Sequence, residues 1–385
     1  MKYELMDLGL ENAVIKVIGV GGGGGNAVDH MMNSEIEGVE FVCANTDAQA
    51  LRRLEVDTII QLGAELTRGL GAGTNPEVGR EAAEENTDII RDVLEGTNML
   101  FLTAGMGGGT GTGAIPVIAE IAKEMNILTV AVVTKPFDFE GTKKKLVAEA
   151  GIADLEKHVD SLIIIPNQKL LPVLGANVSM TKAFAAANDV LLDAVQGITE
   201  LITSPGMINV DFADVKTVMS SMGAAIMGTG IASGENRARV AAEKAIACPL
   251  LEDINLQGAR GILVNISAAD IGISEFDEVG NIVHAFASDD AIIKIGTAID
   301  EDLGDQIKVT VVATGMGANQ KSVSTPIHIA PAIATTANDY ASLDTPTITR
   351  NNQDNKETRF GVQPKNNSAD MDYLDIPAFL RRQAD

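Results

Sequence analysis

Five consecutive glycines, Gly21–Gly25, follow directly on the apolar, β-branched run Val14-Ile-Lys-Val-Ile-Gly-Val20 and precede a helical pattern that opens near Asn26. A strand feeding a helix through such a loop is the start of a βαβ unit, which restricts the chain to layered α/β folds. Glycine has no Cβ, so its backbone can take positive φ and let an anionic group approach closely. The helix N-terminus beyond it offers unpaired N–H donors and a partial positive charge. A tight turn alone needs one or two glycines. Five in succession weaken the fold for no evident gain in packing, so the loop is expected to hold a ligand through Gly21, Gly22, Gly23, Gly24, Gly25 and Asn26.

The pattern around the loop agrees. Short apolar runs at Ala13–Val20, Val39–Ala44, Thr58–Leu62, Met99–Ala104, Leu128–Thr134 and Leu162–Pro166 read as strands buried on both faces. Helical patterns alternate with them at Asn26–Asn33, Pro76–Leu94, Gly113–Glu124 and Thr142–Lys157. Aromatics are only 3% of the chain and Trp is absent, so the cores must be aliphatic. A long pattern, Thr181–Thr203, places Phe184, Ala187, Leu191, Ala194, Ile198 and Leu201 on one face, and Ser204-Pro205-Gly206 ends it. Helices at Asp214–Ser221 and Glu235–Ala247 then accompany strands at Arg260–Ser267, Ile292–Ala298 and Ile307–Ala313, with a weaker strand near Ala224–Ala232.

The fold expected is α/β: a doubly wound parallel-sheet nucleotide-binding domain (13–180) after an N-terminal extension (1–12), a long central helix (181–203), and a second, smaller α+β domain (204–317). Residues 318–369 are rich in Asn, Thr, Ser, Gln and Pro and read as a disordered linker. The last segment, 370–385, carries Ile376, Phe379 and Leu380 at the spacing of an amphipathic turn, and reads equally as a partner-docking peptide or an untidy terminus.

Net charge is −24, which disfavours direct binding to nucleic acid or insertion at an anionic membrane. Cys43 and Cys248 suggest no disulfide framework, and a reducing cytoplasm is the simplest setting. The acidic N-terminus reads as no signal peptide, and no apolar run reaches the roughly 18 residues of a membrane span.

A second loop decides what the first one binds. Gly105-Met-Gly107-Gly108-Gly109-Thr110-Gly111-Thr112-Gly113 also follows an apolar strand and opens a helix. The match of Gly19–Gly24 to G-x-G-x-x-G, with Asp47 as the ribose acid, allows a dinucleotide site, but one diphosphate needs one such loop. Two loops can wrap a di- or triphosphate from two sides, and Thr110 and Thr112 add hydroxyls for phosphate or a metal ion. A third glycine-rich stretch, Thr67–Pro76, includes Ala72, Gly73 and Thr74 and either closes over a γ-phosphate or is a plain mobile loop. No G-x-x-x-x-G-K-[ST] motif is present, so backbone donors, helix dipoles and Mg2+ bridged to the phosphates must offset the charge. The four histidines lie in none of these loops, which gives a protein-held metal site little support.

Asn209, Asp211 and Asp214 follow the Ser-Pro-Gly break. Two carboxylates three residues apart can polarise a water or hold a cation. They also suit an N-cap and N3 position of the next helix, and the local pattern favours that reading.

The run Gly107–Gly113, with Asn45-Thr-Asp47, Asn209-Val-Asp211-Phe-Ala-Asp214 and the tail Asp-Ile-Pro-Ala-Phe-Leu, closely resembles the tubulin-like GTPases of the bacterial FtsZ family, over nearly the whole chain. The resemblance implies GTP and GDP as ligands, with K+ dependence open. It implies head-to-tail self-assembly into filaments of the cytokinetic ring at midcell, on the inner face of the membrane. It also implies membrane-tethering and regulatory partners bound through the tail. Asn209, Asp211 and Asp214 become the catalytic group, supplied to the site of the next subunit. Asn45 and Asp47 join the nucleotide contacts. Glu140 becomes a ribose acceptor, Asn167 a nucleotide contact and Phe184 a base stack, although the residue pattern alone would make Phe184 core. Asn188 and Asp189 follow, Asp189 accepting from guanine N1 and N2. Lys144 stands where many relatives carry arginine, so its contact is expected to be weaker. The competing readings are an NAD-dependent oxidoreductase on Gly19–Gly24, which lacks an evident catalytic His or Tyr-Lys pair, and a nucleotide-regulated scaffold that does not hydrolyse.

Overall fold

A computed structural model describes residues 13–316, apart from 35, 37, 176–177, 205, 221–222, 249–258 and 289. The extension 1–12, the linker 318–369 and the tail 370–385 lie outside the described residues.

Ten strands form one sheet among the described residues. They are β1 Ile15–Val20, β2 Val39–Asn45, β3 Thr58–Gln61, β4 Met99–Gly105, β5 Leu128–Lys135, β6 Ser161–Pro166, β7 Gly223–Ser233, β8 Gly261–Ala268, β9 Ile292–Ile299 and β10 Gln306–Met316. The helices are α1 Gly21–Met32, α2 Ala48–Leu51, α3 Ala64–Thr67, α4 Pro76–Glu85, α5 Thr87–Leu94, α6 Thr110–Glu124, α7 Thr142–Leu155, α8 Leu171–Leu174, α9 Met180–Thr203, α10 Phe212–Met219, α11 Arg237–Ile246 and α12 Ile273–Phe286.

Strand order is β3-β2-β1-β4-β5-β6-β7-β10-β8-β9. The first six are parallel throughout, and the order reverses between β1 and β4. That switch point leaves a crevice at the carboxyl ends of the two strands, where α/β sheets bind ligands. Strand β7 continues the sheet, pairing parallel to β6 over three residues and antiparallel to β10.

Alternation along β1 divides the core. Ile18 and Val20 join one buried cluster with Ile115 and Ile118 of α6, while Ile15 and Val17 join another with Val28 of α1 and Leu191 of α9. Helix α9 is about 36 Å long at 1.5 Å per residue. Leu191, Ala194, Ile198 and Leu201 share that second cluster with Phe101 and Val130, and also with Leu263 and Val312. The spine helix therefore has one continuous apolar face serving early and late strands alike.

Several boundaries shift by one to three residues from the sequence expectation, and three differences bear on the argument. Helices α1 and α6 start at Gly21 and Thr110, several residues earlier than the periodic pattern, so the glycines themselves build the first turns. The Pro76–Leu94 pattern is two helices broken at Asn86, whose Oδ1 accepts from Gly63 N at 2.7 Å. Helix α12 was not expected, nor were the one-turn helices α2, α3 and α8. The first turn of α12 is fixed by Glu275, which accepts from Gly272 N at 2.9 Å and pairs with Arg237 Nε at 2.7 Å.

Candidate functional site

The carboxyl ends of β1 and β4 deliver the two glycine loops to one place. A Cβ on Gly21, which has φ +73°, would lie 2.9 Å from Gly111 N, and one on Gly23 would lie 3.0 Å from Gly105 N. The loops thus pack backbone on backbone, a proximity only glycine permits. The third loop joins them: Gly109 N donates to Gly73 O at 2.9 Å, and Gly71 N donates to Thr46 O at 3.2 Å. It is held in place at both ends rather than swinging free.

These loops line a cavity of about 300 Å3. Gly22, Gly23 and Asn26 of the first loop, Gly105, Gly108, Gly109, Thr110 and Gly111 of the second, and Gly73 of the third all line it. The expected Glu140, Lys144, Asn167, Phe184 and Asn188 complete the far side. Among the described residues, Gly108 N has no acceptor in the protein, and a Cβ on Gly22, Gly73 or Gly108 would meet nothing within 4 Å. Open space beside backbone amides at two helix N-termini is suited to phosphate oxygens.

The far side carries base- and sugar-sized features. Phe184 is 40% exposed and stands edge-to-face with Phe137, ring centroids 5.3 Å apart at 90°, so it is not core. Asn167 is 4% exposed, yet its side-chain oxygen has no hydrogen-bond partner. A buried, unpartnered acceptor in a cavity wall is a strong pointer to a ligand donor. Glu140 uses Oε1 to accept from Phe137 N at 2.9 Å and Oε2 to pair with Lys144 Nζ at 2.6 Å. Each oxygen retains a lone pair for a hydroxyl. The structure adds Met106, Thr134, Pro136, Ala187 and Leu191 to the lining. None is marked by residue type, but Thr134 and Pro136 follow from the carboxyl end of β5, next to the switch point.

Other expected contacts stand back from the cavity. Gly24 would place a Cβ 2.4 Å from Thr103 O, and Gly113 would place one 1.9 Å from Pro76 O. Gly25 faces Leu54, and Gly107, at φ +100°, lies against Lys144. These glycines serve packing, which corrects the expectation that the five-glycine run has no structural gain. Thr112 Oγ1 accepts from Gly107 N at 2.8 Å and closes the loop, while Thr110 Oγ1 shares a hydrogen bond with Thr46 at 2.6 Å. Asn45 Oδ1 accepts from Asp47 N, and Asp47 caps α2 through the amides of Gln49 and Ala50. Both of these bonds use Asp47 Oδ1, and the residue does not line the cavity. Ala72 and Thr74 belong to the third loop without lining the cavity. Asp189 Oδ1 is held by His30 Nε2 at 2.7 Å. The histidine tethers an expected base contact, which its position outside the loops had concealed.

Among the described residues no cluster of His, Cys, Asp or Glu is placed to hold a metal ion. Glu140 is the one carboxylate in the lining and is already paired. The donor set suits a polyphosphate that brings its own cation. Cys43 is buried, and that burial, aided by the charge of Asp29, pushes its thiol up to about 12.

The acids lie elsewhere. Asp211 Oδ1 accepts from Asp214 N at 2.7 Å and caps α10, while Asn209 Oδ1 accepts from Gly206 N at 2.8 Å. Their loop is pinned to β9: Ile208 N donates to Thr297 Oγ1 at 3.0 Å, and Thr297 N donates to Ile208 O at 2.9 Å. Strand β9 is the outer edge of the sheet, six strand spacings from β4, or on the order of 25–30 Å at ~4.8 Å per spacing. None of the three acid-loop side chains lines the cavity.

Residues 14–175 match the Tubulin/FtsZ family, GTPase domain, and residues 223–317 match the FtsZ family, C-terminal domain. The chain is 60% identical over 385 residues to the cell division protein FtsZ of Coxiella burnetii, covering 99% of each. It is 58% identical over 396 residues to that of Pseudomonas aeruginosa, covering 100% of each. Among solved structures, an empty FtsZ dimer from M. jannaschii superposes with a TM-score of 0.76 at 44% identity, over 79% of this chain and 88% of that one.

Proposed function

This chain belongs to the tubulin/FtsZ family, and from that premise we propose that it is a GTPase whose active site is divided between two copies of itself. With the family go guanine-nucleotide binding, GTP hydrolysis, self-association into filaments and a part in cell division. The oxidoreductase reading has no support.

The observation that carries the divided site is the separation of parts. The cradle holds amide donors and an aromatic wall but no free acid, and the acids sit at the far edge of the sheet. One chain cannot bring them together. A second copy placed head to tail presents its Asn209, Asp211 and Asp214 to the first copy's nucleotide. Such a contact is heterologous and repeats into an open filament. Asp214 and Asp211 then orient or deprotonate the water that attacks the γ-phosphate, and Asn209 shapes the loop. Phosphate leaves with GDP retained in the cradle.

Within the cradle, Gly22, Gly23 and Gly108 hold the phosphates, with Mg2+ arriving on the nucleotide. Glu140 accepts from the ribose, Asn167 accepts from a ligand donor and Phe184 covers the base. Asp189, steadied by His30, accepts from guanine N1–H and the 2-amino group. A charge-assisted hydrogen bond of this kind is worth about 1.5–3 kcal/mol. Asp189→Ala is therefore expected to lower the preference for GTP over ITP, which lacks the 2-amino group, by roughly tenfold or more. Unchanged discrimination in a competition assay would remove Asp189 from the base site.

The tail 370–385 binds membrane-tethering and regulatory division proteins, bringing filaments to the midcell membrane. No described helix is long and apolar enough to cross one. The test of the whole reading is the concentration dependence of hydrolysis. GTP turnover per molecule should rise steeply above a threshold protein concentration and track light scattering. Turnover per molecule that is constant with dilution would place the complete site in one chain, and scattering without phosphate release would mean a non-hydrolysing scaffold.

A further inference from the structure

The acid loop must approach a polyanion, and the cradle has little charge to receive it. Lys144 is the one cation among the described residues lining the cavity, and it is committed to Glu140 at 2.6 Å. No P-loop lysine is present. Even with Mg2+ carried on the nucleotide, a triphosphate keeps a net negative charge, and two bare carboxylates entering this space would meet it with like charge. At a separation of about 4 Å in a partly solvated site, each such pair is strongly repulsive.

The structure supplies a partner for one of them. Lys294, on the edge strand β9, places Nζ 2.8 Å from Asp214 Oδ1. Their side chains are 35% and 39% exposed, so the pair stands at the surface rather than in the core. The same strand holds the loop through the two Thr297–Ile208 bonds. Asp214 is thus fixed twice: its backbone by the Asp211 cap, its carboxylate by a lysine carried on the strand that anchors the loop.

We propose that Lys294 is a positioning residue for the assembly-dependent GTPase, holding the Asp214 carboxylate in its presented orientation and cancelling one of the two negative charges that enter the neighbour's nucleotide site. The inference rests on the divided-site reading above. An ordinary exposed ion pair does neither job and contributes little to stability. The two cases separate on what is measured.

The experiment uses the full chain with GTP and Mg2+, and reads phosphate release per assembled subunit. Lys294→Met is expected to lower it roughly tenfold, while Lys294→Arg, which keeps the charge, restores most of it. The deficit of Lys294→Met should narrow between about 50 and about 300 mM salt, because screening weakens like-charge repulsion. A loss of packing would not respond to salt in this way. Should the added apolar edge surface make Lys294→Met aggregate, Lys294→Gln serves in its place. Turnover within twofold of the parent in Lys294→Met, alongside an inactive Asp214→Ala, overturns the proposal and leaves the divided site standing. A deficit that Arg does not restore, or that salt does not narrow, overturns it as well. Normal turnover in Asp214→Ala removes the divided site itself, and the role of Lys294 falls with it.

Discussion

Asp214→Ala should bind GTP with the parent affinity and release almost no phosphate, even where it assembles. The side chain lies outside the cavity lining, so the cradle of the same molecule is untouched. The helix is also spared. The hydrogen bond that caps α10 runs from the backbone N of residue 214 to Asp211 Oδ1, and alanine keeps that donor. The change therefore removes a carboxylate without removing a cap. Loss of a positioned acid–base group typically lowers turnover by about 10²–10⁴-fold. Asp211→Ala is the less informative variant, since it also removes the N-cap at a cost of about 1 kcal/mol. Filter binding of labelled GTP together with phosphate release at saturating protein makes the comparison. Parent-like turnover in Asp214→Ala would mean that the acid pair is only a helix start, as the local pattern by itself favours.

The same residues show how far the chain could be read without coordinates. Strands such as Met99–Ala104 and Leu128–Thr134 were legible because both their faces are buried, and their apolar runs have one explanation. Helix α12 carries a legible signature too: Ile273, Phe276, Val279 and Val283 recur at helical steps, and Glu275 at the third position accepts from the amide of Gly272. The early start of α1 was not legible. Glycine disfavours helix by about 1 kcal/mol per residue, and only the contact of Gly24 with Thr103 and of Gly23 with Gly105 forces the turn. Asn45 and Asp47 carry a family motif, but their hydrogen bonds run to the α2 cap rather than to the cavity. The pairing of His30 with Asp189 joins positions far apart in the chain, and no spacing could reveal it.

Glycine itself yields the second large effect, because glycines of one loop should respond in opposite ways. Gly22→Ala and Gly108→Ala place a methyl where no protein atom lies within 4 Å, at the cavity wall. Neither residue has positive φ, so the backbone accepts the change, and at Gly22 the helix gains propensity. Thermal stability should hold or rise, while GTP affinity falls by roughly 10–100-fold as the methyl takes phosphate space and blocks the amides. Gly24→Ala and Gly113→Ala do the reverse. Their methyls would lie 2.4 Å from Thr103 O and 1.9 Å from Pro76 O, both backbone atoms that cannot turn aside. Helix α1 must lift from β4, or α6 from α4. Overpacking of this kind costs about 3 kcal/mol or more, a large share of the roughly 5–15 kcal/mol that holds a domain, and should lower Tm by roughly 5 °C or more. Melting curves and nucleotide titrations on the four variants decide it. If Gly22→Ala and Gly108→Ala titrate like the parent, the phosphates do not rest on those amides, and the cradle has been placed on the wrong face of its own loops. If Gly24→Ala melts like the parent, the run of five is there for the ligand throughout, and the packing argument for half of it is wrong.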